Sequence, residues 1–402
     1  MESKSLPDAS LTMLTGATGA LGQEVLCQWL ETRPQQEQLL VLARGKGKGK
    51  AEKRVENILR KRFTGEALAQ AEKRVTVLNG DMNVKYLGLE PKLYQEVVEH
   101  TEQVIHCAAA VRFDQPLENA RETNLEGTRN TLQLAKEAQK AGRMGRFDYV
   151  STAYIAGKRH GVIYEHEFNH KKGFHNTYEQ SKYEAETMVR QAMGDIPVSV
   201  YRPSIIIGNS RTGETSDFKA FYWPMRAYAI GQLRVLPGVA SCKVDLVPVD
   251  YVAAAIIHLN GQKHSINRSF HLTAGRDNLP TVSDILDAAV SFFKVKRPFL
   301  IPPLLLKVAE GKLGYSILGE RGIKTLKLGE PYYPYFSLKL EYDNRQTLEM
   351  LKPVGIYPPR ISEFFERLFR YCVETEWGKR TTHHAGKTSS EESNDKDLVS
   401  LR

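Results

Sequence analysis

The chain has 402 residues, 41% hydrophobic and 26% charged, with a formal net charge of +9. That is an ordinary soluble composition, with room for one large α/β domain and a substrate-binding portion, and it excludes fibrous and wholly disordered classes. Cys27, Cys107, Cys242 and Cys372 show no CxxC spacing, so neither a zinc cluster nor a disulfide framework is indicated and plain buried thiols are expected.

Met1 to Asp8 carry no apolar signal core, which argues against export and for a cytoplasmic enzyme. Leu11–Leu14 then predicts a short buried strand, and Thr15-Gly-Ala-Thr-Gly-Ala-Leu-Gly22 follows it directly. Apolar residues recur at helical spacing from Glu24 to Leu30. The order strand, glycine turn, helix is that of a dinucleotide cradle. Gly16 permits the tight turn, Gly19 a close backbone approach to a pyrophosphate, and Gly22 tight helix–strand packing. The pyrophosphate is expected on the amides of Thr18, Gly19, Ala20 and Leu21 at the positive helix end.

Gln38–Ala43 predicts a second buried strand ending at Arg44, with no Asp or Glu in between. An acidic residue at this point holds the ribose hydroxyls of NADH, whereas an arginine accepts the 2′-phosphate of NADPH. Arg44 is therefore the expected phosphate ligand and Arg54, in a basic helix over 52–62, the second candidate. A third strand, Val75–Leu78, runs into Asp81 and Met82, placed beside the adenine. A fourth, Gln103–Cys107, ends at Ala108-Ala109-Ala110, whose small side chains leave room for the cofactor. His106 is expected in the core. Asn124 falls within a helix over 119–141, where a buried amide needs partners and can hold a kink. Phe147–Val150 delivers Ser151 and Thr152 to a strand's carboxyl end, where open α/β sheets place their chemistry.

Tyr178 and Lys182 are four apart on one face of the next predicted helix. A phenol ionising near its ordinary pKa of about 10 is a poor acid at neutral pH, and a neighbouring ammonium lowers that value. Lys182 can also hold ribose hydroxyls, and the Thr152 hydroxyl a substrate carbonyl oxygen. Val198–Tyr201 is a sixth strand. Pro203 and Ile206 follow it, expected beside the nicotinamide. The aromatic run Phe221–Met225 fits either core or an acyl channel. Asp250 reads as a helix cap, Ser269–Thr273 as a strand and Thr281 as a further cap. The apolar stretch 297–309 is too short and too proline-broken to span a bilayer, and internal packing is favoured over rest on a membrane surface. From residue 378 the chain is polar and charged, the composition of a disordered tail.

These motifs resemble the extended short-chain dehydrogenase/reductases. Val41-Leu-Ala-Arg44-Gly-Lys, Cys107-Ala-Ala-Ala-Val111-Arg-Phe-Asp114, Asn124-Leu-Glu-Gly-Thr128 and Val150-Ser-Thr-Ala-Tyr154 narrow the resemblance to thioester reductase domains and fatty acyl-CoA reductases. It is dense from Thr12 to Asp250 and weak beyond. It implies a Rossmann-type doubly wound parallel sheet over 8–250, a C-terminal substrate portion over 251–377 also fed by 209–240, and a tail over 378–402. It also implies NADPH-dependent reduction of an acyl thioester to an aldehyde, or onward to an alcohol. Thr152, Tyr178 and Lys182 would be catalytic, without a metal. With no carrier domain ahead of the motifs, the thioester is expected on coenzyme A or on a separate carrier protein, its phosphates met by the basic surface of residues 46–62. That surface lacks the aromatic interleaving of a nucleic-acid module, and nothing in the sequence specifies an oligomeric state. The alternatives are a reductase of a ketone or hydroxyl on a steroid-, flavonoid- or nucleotide-sugar-like substrate, and a catalytically silent cofactor-sensing scaffold.

Overall fold

The computed structural model describes residues 6, 10–47, 49–219, 221–305 and 312–380. Seven parallel strands form the central sheet in the order β11-β7-β5-β4-β1-β2-β3. They are β1 (Leu11–Thr15), β2 (Gln38–Ala43), β3 (Val75–Asn79), β4 (Thr101–His106), β5 (Arg146–Val150), β7 (Val198–Pro203) and β11 (Arg268–Leu272). β1, β5 and β7 are buried along their whole length, the pattern of strands covered on both faces. The expected doubly wound sheet is therefore present. The boundary placed at residue 250 falls inside a helix, and the chain beyond it still supplies the outer strand β11.

Helices flank the sheet. α1 (Ala20–Thr32) carries Trp29 fully into the core and packs along α9 (Val249–Asn260). α2 (Lys50–Arg62) and α3 (Gly65–Lys73) join β2 to β3. α4 (Pro91–His100), α6 (Gly127–Lys140) and α7 (Thr177–Gln191) lie together against the second apolar core, which holds Val97, Leu134 and Val189. Between α5 (Leu117–Arg121) and α6 the chain makes a π turn over Glu122–Glu126 with helical φ/ψ at both junctions, so the helix expected over 119–141 is present and carries a π bulge at Asn124.

A third core belongs to the C-terminal portion, where α8 (Tyr222–Ala229), α10 (Val282–Phe293), α11 (Lys312–Gly329) and α13 (Phe365–Glu374) converge. Phe221, Tyr222, Met225 and Tyr228 are buried there, which assigns most of that aromatic run to core. Thr281 caps α10 in a reciprocal capping box with Asp284. Asp250 is not the cap expected of it: Pro248 holds that position in α9, and the Asp250 carboxylate accepts from Ser210 N at 2.9 Å and Ser210 Oγ at 2.7 Å.

Short parallel pairs complete the fold: β6 (Gly161–Ile163) with β13 (Leu340–Tyr342), β8 (Ile205–Ile207) with β10 (Leu246–Pro248), and β9 (Val235–Pro237) with β12 (Phe299–Ile301). α12 (Arg345–Leu351) follows β13. The start of the apolar stretch 297–309 forms strand β12, in which Leu300 packs partly on the third core while Phe299 is 77% exposed, and its residues 306–309 lie outside the described residues. So does the expected tail from 381 onward. Among the described residues no helix is long and apolar enough to cross a membrane.

Candidate active site

The site lies at the carboxyl ends of β1, β4, β5 and β7. Gly16 has a left-handed φ of +76°, and a Cβ there would stand 2.6 Å from Ala108 N, so only glycine fits between the turn and the loop after β4. A Cβ on Gly22 would meet Gly16 O at 2.0 Å, which fixes the close packing of α1 under the turn. Gly19 is the N-cap of α1 and supplies no side-chain cap. The first amides of α1 are thus unspent, as a pyrophosphate ligand requires. These residues fit a dinucleotide.

Asn124 links the loop after β4 to the helix that carries Tyr178 and Lys182. Its Oδ1 accepts from Ala110 N at 2.8 Å, and its Nδ2 donates to Ala110 O at 3.3 Å and to Ser181 Oγ at 2.9 Å. The π turn aims the amide inward, a common use of such bulges. His106 is a core residue as expected: Thr15 and Thr128 hold its two ring nitrogens, and burial pushes its pKa down to about 3, so the ring is neutral.

Thr152, Tyr178 and Lys182 are all buried and line one cavity of about 420 Å³. Thr152 Oγ1 donates to Pro203 O at 3.3 Å. Burial pushes the Tyr178 phenol up to about 12; a hydrogen bond with Thr152 lowers it and the Glu179 carboxylate raises it. The lowering expected from Lys182 does not figure in that balance. Lys182 Nζ instead donates to Val150 O at 2.7 Å and lies 4.3 Å over the Tyr149 ring, and burial brings its pKa down to about 7 against the pull of Glu186. Cys107 and Cys27 border the same cavity, but burial pushes both thiols up to about 12. Neither has the thiolate character of a nucleophile. Among the described residues no group of three His, Cys, Asp or Glu is placed to hold a metal ion.

The lining also takes in Gly16, Gly19, Ala20, Leu21 and Gly22 on one side and Ala109, Pro203 and Ile206 on the other. Thr18, Ala108, Arg44, Arg54, Asp81 and Met82 lie outside it. Arg54 Nη2 donates to Thr18 Oγ1 at 2.8 Å and its Nη1 to Arg44 O at 2.6 Å. Arg44 pairs with Asp81 at 3.5 Å, so the two expected ligands of phosphate and adenine meet each other. Met82 packs on Gly127. Of the basic surface over 46–62, Lys61 and Arg62 reach the cavity mouth, where Arg62 is bound to Glu31 at 2.7 Å.

Several lining groups carried no sequence expectation. Phe113 and Tyr154 fall in the Cys107–Asp114 and Val150–Tyr154 motifs, which assign them no role, and Tyr332 lies in Pro331-Tyr-Tyr-Pro-Tyr-Phe336, an aromatic run that is itself a signal. Ser204 faces the cavity, and behind it Asp245 is buried, its Oδ1 accepting from Ser204 Oγ at 2.5 Å and from Ala274 N at 2.9 Å. An acid inside the apolar strand pattern Val244–Val247 was its signal.

A family model described as male sterility protein, an NAD-binding domain, matches residues 14–256. The chain belongs to this family. As a male sterility family member it is an NAD(P)-dependent oxidoreductase of the extended short-chain dehydrogenase/reductase type. It is 28% identical to the fatty acyl-CoA reductase wat of Drosophila melanogaster over 61% of this chain and 52% of that protein. It is 31% identical to the aldehyde reductase lnaA of Aspergillus flavus over 64% of this chain and 25% of that protein. The chain thus spans between a quarter and about half the length of these relatives. The terminal R domain of the myxalamid PKS-NRPS pathway superposes with a TM-score of 0.77 at 25% identity, covering 94% of each chain.

Proposed function

We propose that this family member is an NADPH-dependent reductase converting an acyl thioester, carried on coenzyme A or on a carrier protein, to an aldehyde. The observation that carries the reading is the convergence of Thr152, Tyr178 and Lys182 on the cavity that the glycine cradle also borders. The relatives' names, a fatty acyl-CoA reductase, an aldehyde reductase and a terminal R domain, agree with a thioester carbonyl as the acceptor.

When bound, the nicotinamide supplies a hydride to the carbonyl carbon. Gly16 to Gly22 would hold the pyrophosphate, Lys182 the ribose hydroxyls, and Arg44 with Arg54 the 2′-phosphate. The Arg44–Asp81 pair is half exposed and worth about 0–1 kcal/mol, so a phosphate and an adenine can displace it. Thr152 and Tyr178 would direct hydrogen bonds at the oxygen where charge develops, a contribution of roughly 3 kcal/mol for one such donor. The phenol, pushed up to about 12, keeps its proton at Oη until the alkoxide of the tetrahedral hemithioacetal forms beside it. Collapse then expels the thiol.

The test is oxidation of NADPH with acyl-CoA, acyl-carrier, ketone and nucleotide-sugar substrates, with Tyr178→Phe as the control. Thioesters alone should be turned over, and the Phe variant should bind NADPH yet be inactive. Turnover of ketones but of no thioester would move the assignment to a carbonyl reductase.

A further inference from the structure

One side of the cavity is a series of aromatic rings that neither the cradle nor the proton chemistry uses. Phe113, in the loop after β4, lies 5.6 Å from the Tyr178 ring and 5.5 Å from Tyr332. Tyr332 stacks in turn on Trp223 of α8 at 6.0 Å and 17°. The rings run from the C-terminal core to the catalytic phenol, and Phe113, Tyr178 and Tyr332 border the cavity.

Tyr332 arrives on a short turn, Glu330–Phe336, that the side chains of its neighbours Tyr333 and Tyr335 tie down. Tyr333 Oη donates to Leu326 O at 2.8 Å, binding the turn to the end of α11. Tyr335 Oη donates to Glu179 Oε1 at 2.6 Å and accepts from Asn176 Nδ2 at 2.7 Å. Asn176 is the N-cap of α7, and Glu179 directly follows Tyr178. A fully buried carboxylate is tolerated only with good hydrogen bonds, and one of those offered to Glu179 comes from this distant turn. The turn therefore has one register against the catalytic helix.

We infer that the 330–336 turn is the acyl-recognition element of the site, with Tyr332 the specificity-determining wall and Tyr335 a positioning residue that registers the wall to α7. This rests on the thioester reading above. Because a single ring separates Tyr332 from the Tyr178 phenol, the wall meets the first carbons of the acyl group rather than its far end. It selects against branching or an aryl ring next to the carbonyl.

The experiment compares full-length wild type with Tyr332→Ala, Tyr332→Phe and Tyr335→Phe on hexanoyl-, 2-methylbutanoyl- and benzoyl-pantetheine. Tyr332→Ala should raise the ratio of kcat/KM for branched and aryl over straight substrates about tenfold, the scale of a methylene-sized change in an apolar pocket. Its NADPH affinity should be unchanged, and Tyr332→Phe should keep the wild-type profile. Tyr335→Phe should lower kcat on all three alike. An unchanged profile in Tyr332→Ala overturns the inference, with Tyr332→Leu replacing it if the Ala variant does not fold. If wild type reduces none of the thioesters, the reaction assignment fails instead. The wall is then tested by calorimetry with S-hexyl-, S-(2-methylbutyl)- and S-benzyl-pantetheine thioethers, where the same change in rank order supports it and an unchanged order overturns it.

Discussion

Arg54 is anchored over the glycine turn by Thr18 and by the Arg44 carbonyl, while the Arg44 side chain is 62% exposed and pairs with Asp81. The two guanidinium groups flank the end of β2, where a 2′-phosphate would stand. Replacing either by Ala should weaken NADPH binding by ~1.5–3 kcal/mol, the scale of a hydrogen bond to a charged group, with a much smaller loss for NADH. Equal losses for both cofactors by calorimetry would remove that arginine from the phosphate. Arg44 was legible because it closes a strand. The reach of Arg54 to Thr18 was not, since a contact between residues 36 apart in sequence depends on how α2 packs. Tyr178 and Lys182 were legible for the opposite reason, as four-residue spacing on a helix needs no tertiary knowledge. Their electrostatics were not: burial raises the phenol, and the Lys182 ammonium is turned to the Val150 carbonyl instead.

Strand, glycine turn and helix follow from local periodicity, and β1 to β5 fall within a few residues of expectation. What joins elements was hidden. Asp245 ties the β7–β8 turn to the exit of β11, and it also sits behind Ser204 and the Pro203 carbonyl that anchors Thr152. Burial pushes its carboxyl up to about 6, against two hydrogen bonds that lower it. A folded-state value above the ordinary one means the fold favours the protonated form. That stabilisation is complete below about pH 4 and is lost as pH rises through about 6. Asp245→Asn cannot ionise, so its stability relative to wild type should rise by up to roughly 3 kcal/mol between about pH 4 and pH 7, at 1.36 kcal/mol per pKa unit. A difference in unfolding free energy that stays flat across that range would refute the assignment. Asp250 shows the converse error: an acid at a helix start reads as a cap, yet a loop hydroxyl and amide claim it.

Across the whole molecule, the sheet and its cradle were legible, whereas in the C-terminal portion only β11 and the Thr281 cap were. Its helices carry no chemical motif, and its contribution to the site comes from rings brought back beside α7 by the turn at 330–336. The chemistry proposed for the site is a hydride delivered to a carbonyl that bears a sulfur leaving group, with Tyr178 and Thr152 holding the oxygen. Ketone and nucleotide-sugar chemistry on the same triad releases no thiol. The deciding measurement is free thiol released per NADPH consumed, with a medium-chain acyl-CoA and the aldehyde trapped as it forms. Thioester reduction should release one thiol for each NADPH, with both signals lost together in Tyr178→Phe. NADPH consumption without thiol release would contradict it.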